Sequence, residues 1–194
     1  DQQITLLGQM RQDSENLIRI VENLLSVTRV NGGTVRIQKL DTVLDELIDS
    51  VVLKFRKHYP QQGLSIHIPE TFVTIPMDAL LIQQVLLNLL ENAVCHATGM
   101  TSLSLSVRLQ NDEAIFEITD NGCGIPKELL DDLFTGNLYG KHTPSDRGRN
   151  GMGIGLSVCA AIVRAHDGRI WAENAKDGGA IFRFSLKLEE KSHE

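Results

Sequence analysis

Asp120-Asn121-Gly122-Cys123-Gly124-Ile125-Pro126 is the stretch of this sequence that decides how the rest is interpreted. Residues 114–119 before it alternate between apolar and polar side chains, which predicts a β-strand ending at Asp120. The two glycines then predict a wide turn that lets a ligand approach the backbone. A carboxylate here can accept a hydrogen bond from an exocyclic amine such as N6 of adenine, although a plain Asp-x-Gly turn explains the same residues.

A second glycine-rich stretch opens a predicted helix at 152–165 and reads Gly151-Met152-Gly153-Ile154-Gly155-Leu156. The first N–H groups of a helix bind anionic oxygens, and glycines let a polyphosphate lie against them. Close packing of the helix on a sheet explains Gly155 equally well. The polar residues 135–150 lack periodicity and are predicted to form a loop. Its cations are candidates to neutralise phosphate charge: Lys141, Arg147 and Arg149.

A helix is predicted at 79–97, with Asp78 as its N-terminal cap. Its apolar face carries Leu86, Leu87, Leu90, Ala93 and Val94. On its other side, polar residues recur at every fourth position: Gln84, Asn88, Asn92 and His96. The wet side of an ordinary helix is the simple explanation, but an amide oxygen such as that of Asn92 suits a hard cation. Together with the two glycine stretches, this helix predicts a site for a nucleoside triphosphate with Mg²⁺.

The remaining sequence predicts a mixed α/β domain after a long helix. Residues 2–30 form an amphipathic pattern whose apolar stripe needs a partner helix, either in this chain or in another subunit. Further strands are predicted at 34–39, 64–68, 71–75, 102–109, 169–173 and 180–188, and further helices at 40–58 and 127–133. The run at 102–109 is predicted to form a hairpin with 114–119, and the run at 169–173 a closing hairpin with 180–188. This order predicts an α+β fold, one two-layer sandwich with helices on one face of its sheet.

Composition limits the function classes. The formal net charge of −6 and the pI near 5.5 argue against a general nucleic-acid or anionic-membrane binder. The three cysteines form no CxxC pair, which suits a reducing compartment in which they act as small apolar residues. No apolar run reaches the roughly 18–20 residues of a membrane span. We therefore expect this part of the protein to be cytoplasmic, with membrane contact only through regions outside it.

The motifs lack the spacing of a P-loop and of a protein-kinase glycine loop. They resemble instead the ATP-binding domain of two-component sensor histidine kinases, within the group that includes Hsp90, gyrase and MutL. Similar segments are the N box at 84–97, the G1 box at 120–126, a reduced F box at 133–134 and the G2 box at 150–156.

This resemblance implies a Bergerat-type fold, a mixed sheet with helices on one face, preceded by a long N-terminal helix. It divides the chain into an incomplete dimerisation and phospho-acceptor hairpin at 1–32 and a catalytic ATP-binding domain at 33–194. Residues 1–30 resemble the second helix of that hairpin, which implies a homodimer in the full-length protein. Their ending at 21–25 is similar to Kdp-type potassium sensor kinases.

The resemblance also implies a role for each site residue. Asn88 and Asn92 would be catalytic and hold Mg²⁺ and the phosphates, with Asn92 as the metal ligand. Asp120 would bind adenine, and residues 135–150 would be the lid over ATP. The residues expected to bind the nucleotide are Asn88, Asn92, His96, Asp120, Gly122, Gly124, Ile125, Lys141, Gly151, Met152, Gly153, Ile154, Gly155 and Leu156.

Three features depart from the family pattern. Cys95 stands where N boxes usually have Lys or Arg, and Asn137 stands where the F box has a second Phe. No histidine lies in a His-Asp/Glu-x-x-x-Pro pattern. The resemblance therefore implies that the acceptor histidine lies upstream of Asp1.

The leading hypothesis is the catalytic part of a sensor histidine kinase. It would transfer the γ-phosphoryl group of ATP to an upstream histidine, for relay to an aspartate in the receiver domain of a response regulator. The resemblance leaves open an anchor of the full-length protein in the bacterial cell membrane. Two alternatives remain, a non-catalytic nucleotide-binding module and an ATP hydrolase of the same fold, although hydrolases of this group place a Glu where this chain has Asn88.

Overall fold

The structure is a computed structural model that describes residues 37–135 and 152–188. Within these ranges the chain forms seven strands and four helices. In chain order they are β1 (Leu40–Val43), α1 (Leu44–His58), β2 (Ser65–His67), β3 (Thr74–Met77), α2 (Ala79–His96), β4 (Leu103–Gln110), β5 (Glu113–Asp120), α3 (Lys127–Leu130), α4 (Met152–Ala165), β6 (Arg169–Asn174) and β7 (Ala180–Lys187). None of these helices combines the length and apolar character needed to cross a membrane.

Five strands form one mixed sheet in the order β2-β4-β5-β7-β6, and β1 pairs with β3 in a separate ribbon. β2 runs parallel to β4, while the other neighbours in the sheet are antiparallel. The β4–β5 and β6–β7 pairs are the two hairpins that the alternating runs predicted. β5 therefore lies in the middle of the sheet, and Asp120 is its last residue.

The two faces of the sheet differ in polarity, because successive side chains on a strand point to opposite sides. On one face the rings of Phe116 and Phe184 stack with centroids 4.6 Å apart, inside the hydrophobic core. On the other face Arg183 forms ion pairs with Glu117 and Glu173, the latter at 2.6 Å. The described helices pack on the apolar face. This arrangement confirms the predicted two-layer sandwich.

α2 is the central helix of the helical layer, since it contacts both α1 and α4. Asp78 caps it as predicted, because its Oδ1 accepts a hydrogen bond from the N–H of Leu81 at 3.2 Å. Gln83 lies on the side that faces α1, where its amide contacts Ser50 and Lys54. α2 is therefore held by neighbours on both sides.

One predicted helix boundary is wrong. The helix predicted at 40–58 begins only at Leu44, because Leu40–Val43 is a strand that pairs with Thr74–Met77. The apolar residues of both segments fit a helical spacing, and only the pairing with a distant strand separates them. The same pairing carries β3 through Pro76, where the prediction ended it; opposite Asp41 in a two-stranded ribbon, the missing N–H of a proline is tolerated.

The core side of α2 also differs from the prediction. Leu87 and Val94, both assigned to the apolar face, are half-buried. The buried apolar residues are Ile82, Val85, Leu86, Leu89, Leu90 and Ala93. α3 is shorter than its predicted range of 127–133, which ends in turns.

Several predictions concern residues outside the described ranges. These are the N-terminal helix at 2–30, most of the predicted loop at 135–150, and the first half of the strand predicted at 34–39. The described part of that last segment, 37–39, is not a strand.

Gly168 offers a test of this packing, because it lies where the chain passes from α4 into β6. A Cβ atom at this position would lie 2.1 Å from the carbonyl oxygen of Ser185 on β7. We expect Gly168→Ala to lower the free energy of unfolding by about 1–3 kcal/mol, measured by urea denaturation, since the two backbones must move apart. Gly63→Ala is the matched control, as a Cβ there meets no atom of residues 37–135 or 152–188 within 4 Å. Equal losses in both variants would contradict the close approach.

Candidate nucleotide-binding site

Asp120 is a buried carboxylate at the end of the central strand, with only 4% of its surface exposed. Its Oδ1 accepts hydrogen bonds from the N–H of Gly122 at 2.9 Å and from the N–H of Ala180 at 3.3 Å. Within the described ranges its Oδ2 accepts none, and no side-chain oxygen there is both fully buried and unpartnered. One oxygen is therefore fixed by the backbone, and the other is available to a donor from outside the chain.

The loop after Asp120 is held against the C-terminal end of α2. A Cβ atom at Gly122 would lie 2.7 Å from the Cβ of Ala97, so only a glycine allows this approach. The thiol of Cys123 lies 3.6 Å from the carbonyl oxygen of His96. The structure thus brings the predicted G1 segment and the end of the predicted N box into contact.

Two asparagines that the sequence analysis did not assign to the site brace this loop. Asn174, at the end of β6, accepts a hydrogen bond from the N–H of Ile125 at 2.7 Å and donates one to its carbonyl at 2.8 Å. Asn121 accepts hydrogen bonds from the N–H groups of Thr101 and Ser102, at 2.9 and 2.8 Å. The position of Asn121 inside the quoted motif could have identified it as a site residue. Asn174 is 49 residues from Ile125, and nothing in the sequence near it points to this contact.

Three glycines in and beside this loop have a positive φ, Gly178 at +98° among them. Gly124 has φ +73° and Gly179 has φ +93°. A Cβ atom at Gly179 would lie 2.0 Å from the carbonyl oxygen of Asp120. The turn between β6 and β7 therefore forms part of the wall behind Asp120.

The predicted polar face of α2 contacts α4 through Asn88. Asn88, Asn92 and His96 are all half-buried. Burial raises the pKa of the Cys159 thiol, on α4, to about 12, and a side-chain hydrogen bond with Asn88 opposes that shift. The amide of Asn88 therefore contacts α4. Asn92, one turn further along, makes no hydrogen bond with any described residue and is available to a ligand.

Gly155, in the first turns of α4, is half-buried. Among the residues that the structure describes, a Cβ atom there would meet nothing within 4 Å, whereas Leu156 beside it is 2% exposed. Tight packing against the sheet therefore does not explain this glycine, and the predicted ligand approach retains its support. Met152, Gly153 and Ile154 begin the same helix, while Gly151 and Lys141 lie outside the described residues.

Phe134, the single aromatic residue of the reduced F box, anchors the chain just before residues 136–151. Its ring lies edge-on to that of Phe182, with centroids 6.5 Å apart, and the adjacent Leu133 is buried. Both contacts are apolar and hold this part of the chain against the hydrophobic core.

The chemistry of the donors fits Mg²⁺ together with a polyphosphate. In the described part of the chain no group of three or more His, Cys, Asp or Glu side chains could hold a metal ion. Mg²⁺ commonly takes one or two protein oxygens and completes its shell with water and substrate phosphates. The amide oxygen of Asn92 is such a donor, so the metal would depend on the nucleotide for its other ligands.

Two hollows on the described surface lie elsewhere. One is lined by residues of β2 and β4, including His67 and Leu109, and the other lies beside β6, between Phe134 and Trp171. Neither contains a predicted site residue. The candidate site is thus defined by its donors and glycines.

A buried carboxylate beneath a glycine loop, an amide-bearing helix and a glycine-opened helix define a nucleotide-binding domain of the two-layer α/β class. The chain belongs to the histidine kinase-, DNA gyrase B- and HSP90-like ATPase family, whose family model matches residues 77–190. The matched range holds every residue that the sequence analysis assigned to the site.

Among similar proteins, the sensor protein KdpD of Clostridium acetobutylicum is 35% identical over 184 residues, which cover 95% of this chain and 20% of KdpD. The chain thus spans about a fifth of that relative. The nucleotide-free catalytic domain of histidine kinase ThkA has a TM-score of 0.63 and 27% identity, over 77% of this chain and 95% of that domain. ThkA in complex with the response regulator protein TrrA shares the fold, with a TM-score of 0.68 and 22% identity over 93% of this chain and 50% of that chain.

The brace formed by Asn174 can be tested directly. Asn174→Ala removes both hydrogen bonds to Ile125, and we expect it to lower the free energy of unfolding by about 1–2 kcal/mol. Urea denaturation measures the loss, and Lys176→Ala, in the adjacent exposed turn, is the control. Equal free energies of unfolding in the two variants would show that the hydrogen bonds of Asn174 do not contribute to stability.

Proposed function

We propose that this chain is the ATP-binding catalytic part of a two-component sensor histidine kinase. The observation that carries the proposal is Asp120, a buried carboxylate with Oδ1 held by two backbone N–H groups and Oδ2 available. An oxygen in this position suits the exocyclic amine of adenine, since a charged acceptor strengthens the hydrogen bond. Family membership supports ATP as the nucleotide.

The phosphates would lie between α2 and the start of α4. The N-terminus of α4 offers backbone N–H groups and a positive dipole end, and the open space at Gly155 leaves room for phosphate oxygens. Asn88 and Asn92 would hold Mg²⁺ and the phosphates, with Asn92 as a metal ligand. When bound, Mg²⁺ supplies charge neutralisation for the transferring phosphoryl group.

In the proposed reaction a nitrogen of the acceptor histidine attacks the γ-phosphorus. The bond between that phosphorus and the β,γ-bridging oxygen breaks, and ADP leaves with the bond's electron pair. This chain contributes by positioning the nucleotide, since phosphoryl transfer depends chiefly on orientation and charge stabilisation. The acceptor histidine would lie upstream of Asp1, in the hairpin of which residues 1–32 are the expected second helix.

Transfer to histidine is favoured over hydrolysis by the side chain at position 88. Hydrolases of this fold need a carboxylate base there to take a proton from water, and an amide takes none at neutral pH. The amide of Asn88 is in addition hydrogen-bonded to Cys159. ATP hydrolysis is therefore the weaker alternative, and a nucleotide-binding module without catalysis is the other.

The proposed partners follow from the similar proteins. ThkA was solved with its response regulator TrrA, which supports a receiver domain as the partner of this chain. The match to KdpD supports a Kdp-type potassium sensor, and that protein would carry this domain on the cytoplasmic side of a membrane. A homodimer through residues 1–32 remains a proposal from their sequence. The acidic net charge of −6 disfavours nucleic acid as a partner.

The role of Asp120 predicts the effect of one substitution. Asp120→Asn keeps an oxygen for the two backbone N–H groups but turns a donor toward the adenine amine. We expect the affinity for Mg·ATP to fall about 10- to 100-fold, from the loss of one charge-assisted hydrogen bond. Isothermal titration calorimetry measures the affinity, with Asp112→Asn in the β4–β5 turn as the control of equal charge. Unchanged binding in Asp120→Asn would contradict adenine recognition.

The direction of phosphoryl transfer is tested in trans. The chain is incubated with ATP labelled at the γ-phosphate, alone or with an acceptor-helix fragment of a Kdp-type sensor kinase that lacks its own ATP-binding domain. We expect acid-labile label on the acceptor fragment and none on this chain alone. Label on this chain alone, or steady phosphate release without an acceptor, would contradict the kinase proposal, and the second result would favour the hydrolase.

A further inference from the structure

His166 lies directly after α4 and is almost completely buried, with 2% of its surface exposed. Its Nδ1 lies 2.8 Å from the carbonyl oxygen of Ile162, and its Nε2 lies 3.0 Å from the backbone nitrogen of Asp78. The backbone N–H of Asp78 can only donate, so Nε2 must accept and Nδ1 must carry the proton. The imidazole is therefore neutral, in a single tautomer, when both bonds are made.

These bonds join the two helices of the candidate site at the ends remote from it. Asp78 caps the start of α2, and His166 follows the end of α4. Asn92 on α2 and the first turn of α4 lie about 20 Å from this junction, at a rise of 1.5 Å per residue. The junction and the site are thus the two ends of one antiparallel helix pair, and the orientation of the helices at one end sets their spacing at the other.

The same junction also contacts the residue that precedes β1. Lys39 Nζ donates a hydrogen bond to Asp167 Oδ2 at 2.6 Å and another to the carbonyl oxygen of His166 at 3.3 Å. Lys39 directly precedes β1. Three charged groups therefore surround the imidazole: Lys39, Asp78 and Asp167.

We propose that His166 is a positioning residue of the nucleotide site: its neutral imidazole ties α2 to α4 and so sets the spacing between Asn92 and Gly155. This inference rests on the proposed function, because it assumes that ATP binds between those helices. Protonated His166 has an N–H at Nε2, which cannot accept from Asp78, and the tie between the helices is lost. A small displacement at a binding site weakens the contacts that depend on it.

The surroundings of His166 set the pH range of this effect. Burial lowers the pKa of His166 below its ordinary value of 6.5, with Asp78 and Asp167 acting against the shift and Lys39 with it. As the pH falls, His166 is therefore protonated at a higher pH in the unfolded chain than in the folded chain. The stability from the neutral imidazole is complete above pH 6.5 and declines below it.

Two substitutions separate the effect of the hydrogen bond from Asp78 from the effect of losing the imidazole. In His166→Gln, the amide oxygen is as many bonds from Cα as Nε2 and accepts from Asp78 at every pH. In His166→Asn, the shorter amide reaches only the Ile162 carbonyl. Calorimetry with Mg·ATP at pH 7.5 should show wild-type affinity for Gln and an affinity about three- to tenfold lower for Asn. The exposed His67→Gln is the control and should match the wild type.

The pH dependence supplies a readout that a merely structural role would not change. Between pH 7.5 and 5.5 the wild type and His67→Gln should lose about two- to threefold more affinity than His166→Gln. Protonation of ATP itself is common to all three and cancels in the comparison. Equal losses would overturn the proposal, as would wild-type affinity for His166→Asn at pH 7.5.

If either His166 variant fails to fold, nuclear magnetic resonance of the wild type tests the proposal instead. The ring nitrogens should report a neutral imidazole protonated at Nδ1, and its titration should coincide with shifts of the Asn92 and Gly155 backbone amides. Titration without those shifts would overturn the proposal. Failure of this inference is distinct from failure of the proposed function: the first leaves tight ATP binding that depends on Asp120, and the second removes that dependence.

Discussion

The packing of α2 against α4 is the contact on which the candidate site depends. In the proposed site each helix would supply a different group for the nucleotide, amides on one and a glycine-opened N-terminus on the other, so neither would be sufficient alone. Asn88 and Cys159 meet in the middle of the pair, and His166 joins the two helices at the far end. The buried apolar side chains between these points hold the spacing, because a close-packed interior does not deform continuously.

The loop beside the proposed adenine position is held in place by a different kind of contact. It is irregular backbone, and side-chain amides satisfy the groups that no sheet neighbour can reach. Asn121 fastens its beginning to the segment before β4, and Asn174 fastens Ile125 to the end of β6. Asp120 is therefore presented from a fixed frame, and such pre-organisation lowers the entropic cost of binding a ligand.

The glycines show how far local sequence can be interpreted. Gly122 and Gly155 belong to similar-looking motifs, yet a side chain at the first would collide with Ala97, and a Cβ at the second would meet no atom of the described residues within 4 Å. Gly168, outside both motifs, is as tightly confined as any of them, against Ser185. A glycine in a sequence shows that a side chain is absent, but what occupies the vacated space depends on segments far away along the chain.

The sequence by itself determined the hairpins, the cap at Asp78, the order of the three nucleotide motifs and the fold class, because alternation, capping and turn chemistry act over a few residues. It placed Leu40–Val43 in a helix, since nothing local distinguishes that run from the helix that follows. Only the tertiary structure decided that β1 pairs with β3, that Asn174 braces Ile125, and that His166 accepts from Asp78 across 88 residues. Those contacts depend on which surfaces meet when the core is buried, and long-range packing of that kind overrides the preferences of the segments it joins.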